Sequence, residues 1–293
     1  DIHFKHSEVG QPDDPNRALR NDMVRDVKKM REEIGRTANG ILLTGDVAYA
    51  GKSTEYDFAY SWLEQELCPA AGCRIEDVFV VPGNHDVDRS AEVGPAQMAA
   101  RAALRQINAN QADDEIRKWL RDRTSANVIF GPIDNYNRFA AKFLCSLGPY
   151  QDMEGETKSP ARPFASRDLK LNDGSSLRMW GFNTVLVCGA DDAEGRMLVD
   201  PAASQIETED GVTHLVMCHH PFTWLKNKRA FEDRLNAVAK IHLFGHEHTR
   251  RIEENRRYLR IRAGALQPDR DEADWKPGYN WIEISVAKAQ DKR

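Results

Sequence analysis

Short apolar runs alternate with amphipathic stretches along this chain. Five apolar runs have the length of buried strands, and each ends in polar residues; they occupy residues 41–46, 77–86, 177–187, 213–220 and 240–248. Residues 16–34 and 53–67 instead carry apolar side chains at helical spacing along one face. Because the stretches between several strands are long enough for crossover helices, the pattern predicts an α/β fold.

The strand pattern stops between residues 87 and 166. Three helices are predicted there, over residues 94–110, 113–125 and 135–147. We interpret 87–166 as a helical insertion or cap within one domain that spans residues 1–293. Beyond it, residues 250–266 and 278–286 alternate like antiparallel strands near the edge of a sheet.

The composition is that of an ordinary globular protein. The 293 residues are 41% hydrophobic and carry a formal net charge of -5, which does not favour binding to nucleic acid through overall positive charge. No apolar stretch approaches the roughly 20 residues of a membrane helix, so we expect no membrane partner. Five irregularly spaced cysteines argue against a disulfide framework and favour a reducing compartment, so we expect a cytoplasmic protein.

Residues that can bind metal ions or carry protons collect where the predicted strands end. They are Asp1, His3, Asp46, Asn84, His85, Asp86, His219, His220, His246 and His248. Ligands of open α/β sheets bind at the carboxyl edge, where loops converge and the strands hold them rigidly. Five separate segments therefore point to one site.

The donor atoms of this set are mixed oxygen and nitrogen, which suits transition metals better than calcium. There are too many donors for a single ion, and a carboxylate such as that of Asp46 can bridge two ions about 3.5–4 Å apart. We therefore expect two divalent transition metal ions, with manganese as the first choice and iron, zinc, cobalt or nickel as alternatives.

Five motifs in order along the chain carry a family resemblance. They are DIHF (1–4), TGDVAYAG (44–51), VPGNHDVDR (81–89), CHHPF (218–222) and FGHEH (244–248). Together they resemble the calcineurin-like metallophosphoesterases over residues 1–248. The resemblance implies a four-layer αββα sandwich of two mixed β-sheets flanked by helices, with a dinuclear site at the sheet edges.

The resemblance also implies a role for each motif residue. The first ion would be bound by Asp1, His3 and His248, the second by Asn84, His219 and His246, and both by the bridging Asp46. His85 would be a catalytic acid that is not a ligand, and Asp86 would orient it.

Other histidines receive weaker assignments from the sequence. Alternation along the strand sends His219 and His220 to opposite faces, so we interpret His220 as a residue on the substrate side or beside the ligands. His6, His214 and His242 are interpreted as structural.

The implied reaction is hydrolysis of a phosphoric ester by in-line attack of a metal-bound hydroxide on phosphorus. The leading substrate is a phosphodiester, either a cyclic nucleotide or another small diester. A nuclease acting on DNA or RNA is the first alternative, because residues 226–229 and 250–262 carry local positive charge. A phosphomonoesterase or protein phosphatase is less favoured because no peptide groove is evident. A noncatalytic scaffold is disfavoured because the ligands and His85 are all retained.

Further domains are also expected. Residues 48–56 resemble phosphoesterase domains of larger bacterial multidomain proteins, so the chain is expected to be fused or bound to other domains. The strand that leads into the first motif in this family is expected upstream of Asp1. The oligomeric state stays open.

Overall fold

The computed structural model of the protein describes residues 1–90, 94–148, 163–267 and 276–287. Its α-helices are α1 (Arg17–Ile34), α2 (Ser53–Trp62), α3 (Cys68–Ala71), α4 (Pro95–Gln106), α5 (Ala112–Arg121), α6 (Arg123–Phe130), α7 (Asp134–Ala141) and α8 (Lys228–Val238). Its strands are β1 (Ile41–Leu43), β2 (Val78–Val80), β3 (Phe164–Lys170), β4 (Ser176–Phe182), β5 (Val212–Cys218), β6 (Ala239–Phe244), β7 (Arg251–Glu254) and β8 (Leu259–Arg262).

The larger sheet contains six strands in the order β3-β4-β5-β6-β8-β7. Strands β4, β5, β6 and β8 run parallel, and the antiparallel strands β3 and β7 form the two edges. In the register of β5 and β6, Cys218 pairs with Phe244, the last residue of each strand. The chain segments that follow β5 and β6 therefore leave the sheet side by side.

The smaller sheet packs face to face against the larger one. Strands β1 and β2 pair in parallel, and an isolated parallel bridge joins Phe4 to Ala48. A Cβ added to Gly181 of β4 would lie 2.8 Å from Val81 and 3.1 Å from Phe79, so the two sheets approach closely at this point. Full burial of a side chain such as Phe79 stabilises the fold by about 1.5–3 kcal/mol.

Helices cover the sheets, and the predicted α/β class is confirmed. Helix α8 packs against β6, and Val27 of α1 joins the buried cluster that contains β1 and β2. Within the described residues the smaller sheet is a parallel pair, whereas the sequence led us to expect two mixed sheets.

The described part of the predicted insertion contains four α-helices, where the sequence predicted three. Residues 113–125 were expected to form one helix, but the chain turns at Asp122. The Asp122 side chain accepts a hydrogen bond from the backbone N–H of Ser125 at 2.8 Å and so caps the N-terminus of α6. The Tyr136 hydroxyl donates to the Val80 carbonyl at 3.1 Å, which ties α7 to the small sheet. The boundaries 87–166 stay a prediction, because residues 91–93 and 149–162 lie outside the described part of the chain.

Two strand predictions near the edges of the sheet differ from the structure. The sequence missed β3, an edge strand whose exposed positions carry polar side chains. Residues 278–286 were predicted to be a strand but form none; Val286 instead exchanges hydrogen bonds with the side chain of Asn172 at 2.8 and 2.9 Å. The antiparallel pair within 250–266 is confirmed as β7 and β8.

None of the helices in the described ranges combines the length and the apolar character that crossing a bilayer requires.

Candidate metal centre

The candidate ligands meet at the carboxyl ends of two pairs of parallel strands, one pair in each sheet. Asp46 follows β1, Asn84 follows β2, and His219 comes directly after β5. His246 and His248 follow β6. The N-terminal segment joins them because the backbone N–H groups of Ile2 and His3 donate to the Asp46 carbonyl at 2.8 and 2.9 Å.

One group of ligand atoms surrounds the Asp46 carboxylate on the side of the N-terminal segment. His3 Nε2 lies 3.2 Å from Asp46 Oδ2, and His248 Nε2 lies 3.4 Å from Asp1 Oδ2. His3, Asp46 and His248 offer ligand atoms that all lie within 4.8 Å of one another. This group contains the four residues expected around the first ion.

A second group meets at the amide oxygen of Asn84. Asn84 Oδ1 lies 2.9 Å from His219 Nε2 and 3.0 Å from His246 Nδ1. The same His219 Nε2 lies 3.3 Å from Asp46 Oδ2. Asp46 therefore contacts both groups, as a bridging carboxylate would.

The chemistry of these contacts fits a bound cation. The Nδ1–H of His219 donates to the Thr44 carbonyl at 2.9 Å, so in the neutral ring Nε2 carries a lone pair. That lone pair faces Asn84 Oδ1 and Asp46 Oδ2, which are also acceptors. Asp1 Oδ1 is buried and has no hydrogen-bond partner among the described residues. Converging acceptors repel each other unless a positive charge lies between them, and a divalent ion supplies that charge.

The backbone at the site is held in an unusual conformation. Five described residues other than glycine have positive φ, and four of them are candidate ligands: His3 (59°), Asp46 (52°), His246 (72°) and His248 (54°). Such backbone is strained for these residue types and persists where surrounding contacts enforce it.

Glycines allow these segments to approach one another. Gly45 has φ of 104°, and a Cβ there would lie 2.5 Å from His219 Nδ1. A Cβ on Gly83 would collide with the Asp46 carboxylate. The glycines of two sequence motifs thus leave the space that the ligand side chains occupy.

Burial favours the neutral form of His3 and of His246, which is the form that binds metal. Burial lowers the pKa of His3 to about 4, and burial together with the neighbouring His219 lowers the pKa of His246 to about 3. Burial also holds the pKa of His220 well below its ordinary value.

His85 lies beside the ligands without joining either group. Its backbone N–H donates to Asp46 Oδ1 at 2.8 Å, and its ring Nδ1–H donates to the Tyr49 carbonyl at 2.8 Å. The ring is 4.7 Å from that of His3 between centroids. Since Nδ1 is engaged with Tyr49, Nε2 is the ring nitrogen left to face a substrate.

The expected pairing of Asp86 with His85 is wrong. The buried Asp86 carboxylate instead accepts hydrogen bonds from the N–H groups of Gly83 and Ala48 and from the Tyr56 hydroxyl, each at 2.9 Å. Burial, followed by the charge of Asp46, raises the pKa of Asp86 to about 6. Asp86 therefore holds together the loops that follow β1 and β2, and Tyr49 is the residue that orients His85.

The sequence led us to place His220 on the substrate side or beside the ligands, and it missed three residues around the site. The His220 ring is fully buried, its Nδ1 lies 3.0 Å from the Thr184 hydroxyl, and its ring centroid is 4.5 Å from that of His246. Thr184, Thr44 and Tyr49 were not singled out, because backbone carbonyls and a distant hydroxyl leave no signal in a motif. Tyr49 lies within the TGDVAYAG motif and could have been noted there.

Comparison with known proteins gives the family. The model of the calcineurin-like phosphoesterases matches residues 1–250, and the chain belongs to this family. Its members generally bind two divalent metal ions, in agreement with the ligand groups found here. No curated protein matches the chain. A crystal structure of a dimetal phosphatase from Danio rerio is similar at 12% identity and a TM-score of 0.39, over 85% of this chain and 77% of that one.

Proposed function

We propose that this protein hydrolyses a small phosphodiester, such as a cyclic nucleotide, with two divalent metal ions. The observation that carries the proposal is the position of His85 beside two ligand groups that share Asp46. When bound, the two ions would lower the pKa of water and stabilise the negative charge that develops on the phosphoryl oxygens.

Each ligand group would hold one ion. The first would be held by Asp1, His3 and His248, the second by Asn84, His219 and His246, with Asp46 contacting both. The neutral amide of Asn84 supplies an oxygen donor without a further negative charge, so the site does not repel an anionic ester. Manganese is our first choice of metal, because it accepts this mixture of oxygen and nitrogen donors.

His85 would act on the leaving group. Hydrolysis forms one P–O bond to the oxygen of water and breaks the P–O bond to the leaving group, whose oxygen takes a proton. The Tyr49 carbonyl holds Nδ1–H, so Nε2–H of the protonated ring is positioned to donate that proton.

The charge around the site favours a diester over a monoester. Within the described residues, the contacts of the two ligand groups given above join histidines, carboxylates and an amide. A monoester dianion needs more compensating charge than a diester monoanion, so the diester suits this site better.

Three of the six arginines in residues 250–262, where a nucleic acid was expected to bind, are engaged in ion pairs. Arg260 contacts Glu232 at 3.1 Å, Arg262 contacts Glu247, and Arg251 contacts Glu253 at 2.9 Å. Lys226 donates to the Ile107 carbonyl at 3.1 Å. These pairings reduce the positive charge available to a phosphate backbone, and they favour the small diester over the nuclease.

A turnover assay tests the proposal. The manganese-loaded protein is assayed with bis-p-nitrophenyl phosphate, p-nitrophenyl phosphate, a panel of cyclic nucleotides, and labelled single- and double-stranded DNA and RNA. We expect cleavage of small diesters that is lost in Asp46→Ala and retained in Asp173→Ala, since Asp173 is exposed and, among the described residues, its side chain hydrogen-bonds Ser175. Cleavage of polynucleotide alone would favour the nuclease, and cleavage of the monoester alone would contradict the diester.

A further inference from the structure

Tyr49 is a large aromatic side chain left exposed at the rim of the metal centre. Its exposed fraction is 44%, one of the few high values among large apolar side chains of the described residues. Its ring centroid lies 5.2 Å from that of His85, with the planes tilted by 35°, and 6.4 Å from that of His3 in an edge arrangement. An exposed aromatic face therefore adjoins both the first ligand group and the proposed proton donor.

The backbone of Tyr49 is fixed independently of its side chain. Its N–H donates to the Phe4 carbonyl at 3.0 Å, and its carbonyl accepts from His85 Nδ1. A substitution that changes only the ring keeps both hydrogen bonds. The ring is therefore not required to hold His85 in place, which leaves it free for another task.

Lys5 fixes the orientation of the ring. Its Nζ lies 4.5 Å from the centroid of the Tyr49 ring and 3.2 Å from Glu8 Oε1. The cation–π contact restrains the ring, and the ion pair with Glu8 reduces the charge that Lys5 presents to an anionic substrate. Among the described residues no hydrogen bond engages the Tyr49 hydroxyl, so the ring offers mainly its apolar surface.

We propose that Tyr49 is a platform on which the leaving group of the ester stacks, and that it selects aromatic leaving groups such as aryl alcohols or nucleosides. The inference rests on the proposed function, because the leaving oxygen must lie within hydrogen-bond reach of His85 to take its proton. A group attached to that oxygen extends over the neighbouring residue, and the ring next to His85 is that of Tyr49. Aromatic stacking then favours a flat leaving group over a small or aliphatic one.

Two matched diesters test the selectivity. Methyl naphthyl phosphate and methyl phenyl phosphate release alcohols of similar acidity, but naphthol has the larger face for stacking. In the wild type and in Tyr49→Phe we expect kcat/KM for the naphthyl ester to exceed that for the phenyl ester by about three- to tenfold. In Tyr49→Leu the ratio should fall close to one while the metal content and the melting temperature stay unchanged.

Tyr60→Leu is the matched control. Tyr60 also carries a lysine over its ring, with Lys142 Nζ 3.9 Å from the centroid, but it contacts Phe143 and Glu64, which lie outside the site. This variant should keep the naphthyl preference of the wild type. A Tyr49→Leu protein with an unaltered preference, or a wild type without any preference, would overturn the inference.

A binding measurement separates this inference from the proposed function. Naphthyl methylphosphonate and phenyl methylphosphonate carry the same aryl groups as the two esters, together with a methyl group. Their affinities as ligands are measured by calorimetry. Tighter binding of the naphthyl compound to the wild type and to Tyr49→Phe, but not to Tyr49→Leu, would support the platform even if neither ester were turned over. If each of the three proteins bound the naphthyl and phenyl compounds with equal affinity, the platform would be rejected. Absence of turnover alone would count against the diester reaction.

Discussion

The Nδ1–H of His85 donates to the main-chain carbonyl of Tyr49 across 2.8 Å, thirty-six residues away in sequence. A carbonyl group cannot be removed by mutating a side chain, so this arrangement fixes the histidine tautomer robustly. The chemistry of the His85 ring can therefore be tested separately from its placement.

His85→Ala should lower kcat by about 100- to 10,000-fold, the usual contribution of a general acid, and should leave both metal ions bound. The reason is that the ring lies outside the two ligand groups, although its backbone N–H contacts Asp46. Turnover is measured together with metal content by atomic emission. Asp46→Ala should lose turnover and bound metal alike. Equal metal loss in His85→Ala and Asp46→Ala would refute the separation of roles.

Asp86→Asn should destabilise the protein by about 2–3 kcal/mol, because an amide NH₂ group would face donors that a carboxylate satisfies. Chemical unfolding of the metal-free protein measures the change. Asp134→Asn is the comparison. Burial also raises the pKa of this partly buried carboxyl, and the charge of Arg138 lowers the pKa to a smaller extent. If Asp86→Asn instead kept full stability and only slowed turnover, the carboxylate would have the orienting role expected from the sequence.

Gly45→Ala should abolish metal binding, because its Cβ would displace the His219 ring. Gly174→Ala is the matched control: it also has positive φ, 89°, but a Cβ there meets nothing within 4 Å. The control should lose only about 1 kcal/mol from backbone strain and keep its metal. Metal titration of both variants decides the matter, and normal metal affinity in Gly45→Ala would contradict the close packing described here.

Removal of metal should lower the melting temperature, because an ion that binds only the folded chain stabilises it by about 2.7 kcal/mol at a concentration of 100 times its Kd. Calorimetry before and after chelation, and again after addition of manganese, measures the shift. Asp46→Ala should show no such shift. A wild-type melting temperature that ignores both chelator and manganese would argue against a metal centre.

His242 gives a pH dependence that does not involve the metal ligands. Burial, followed by the charge of Arg260, lowers the pKa of His242 from 6.5 to about 4. Between these two values the unfolded chain binds the proton and the folded chain does not, so stability falls as the pH drops from 6.5 towards 4.

Replacing His242 by glutamine should make this fall shallower, by up to about 1.4 kcal/mol per pH unit. Urea unfolding of the wild type and the variant at several pH values gives the two slopes. His3 and His246 contribute slopes of their own, and these are common to both proteins. Identical slopes would show that His242 titrates alike in the folded and unfolded chains.

The sequence predicted which candidate ligands lie together better than it predicted the edges of the fold. Strands β5 and β6 are buried apolar runs followed within two residues by histidines, so both their position and their chemistry could be recognised. Strand β3 mixes exposed polar residues with few apolar ones and is defined by its pairing with β4, which no local pattern reveals. Residues 278–286 have the opposite character, since they alternate like a strand but find no strand partner.

The error over Asp86 has a similar cause. The sequence shows that a carboxylate follows a histidine, and this adjacency suggested that the two side chains pair. The carboxylate turns instead toward N–H groups of Gly83 and Ala48, and the second of these belongs to a loop far away in sequence. The partner of a buried charge is decided by the tertiary structure, in which every nearby donor competes for it.

The register of β5 against β6 makes the metal centre a reporter of correct folding. Cys218 pairs with Phe244, and a register irregularity lies between His214 and Leu215 near the start of β5. A slip of one residue would move the β6 segment by about 3.3 Å and turn its side chains to the other face. Chains with such a slip would still bury apolar residues and form a sheet, yet His219 and His246 could no longer reach one ion. Added metal would therefore select the correctly paired molecules from a refolding mixture.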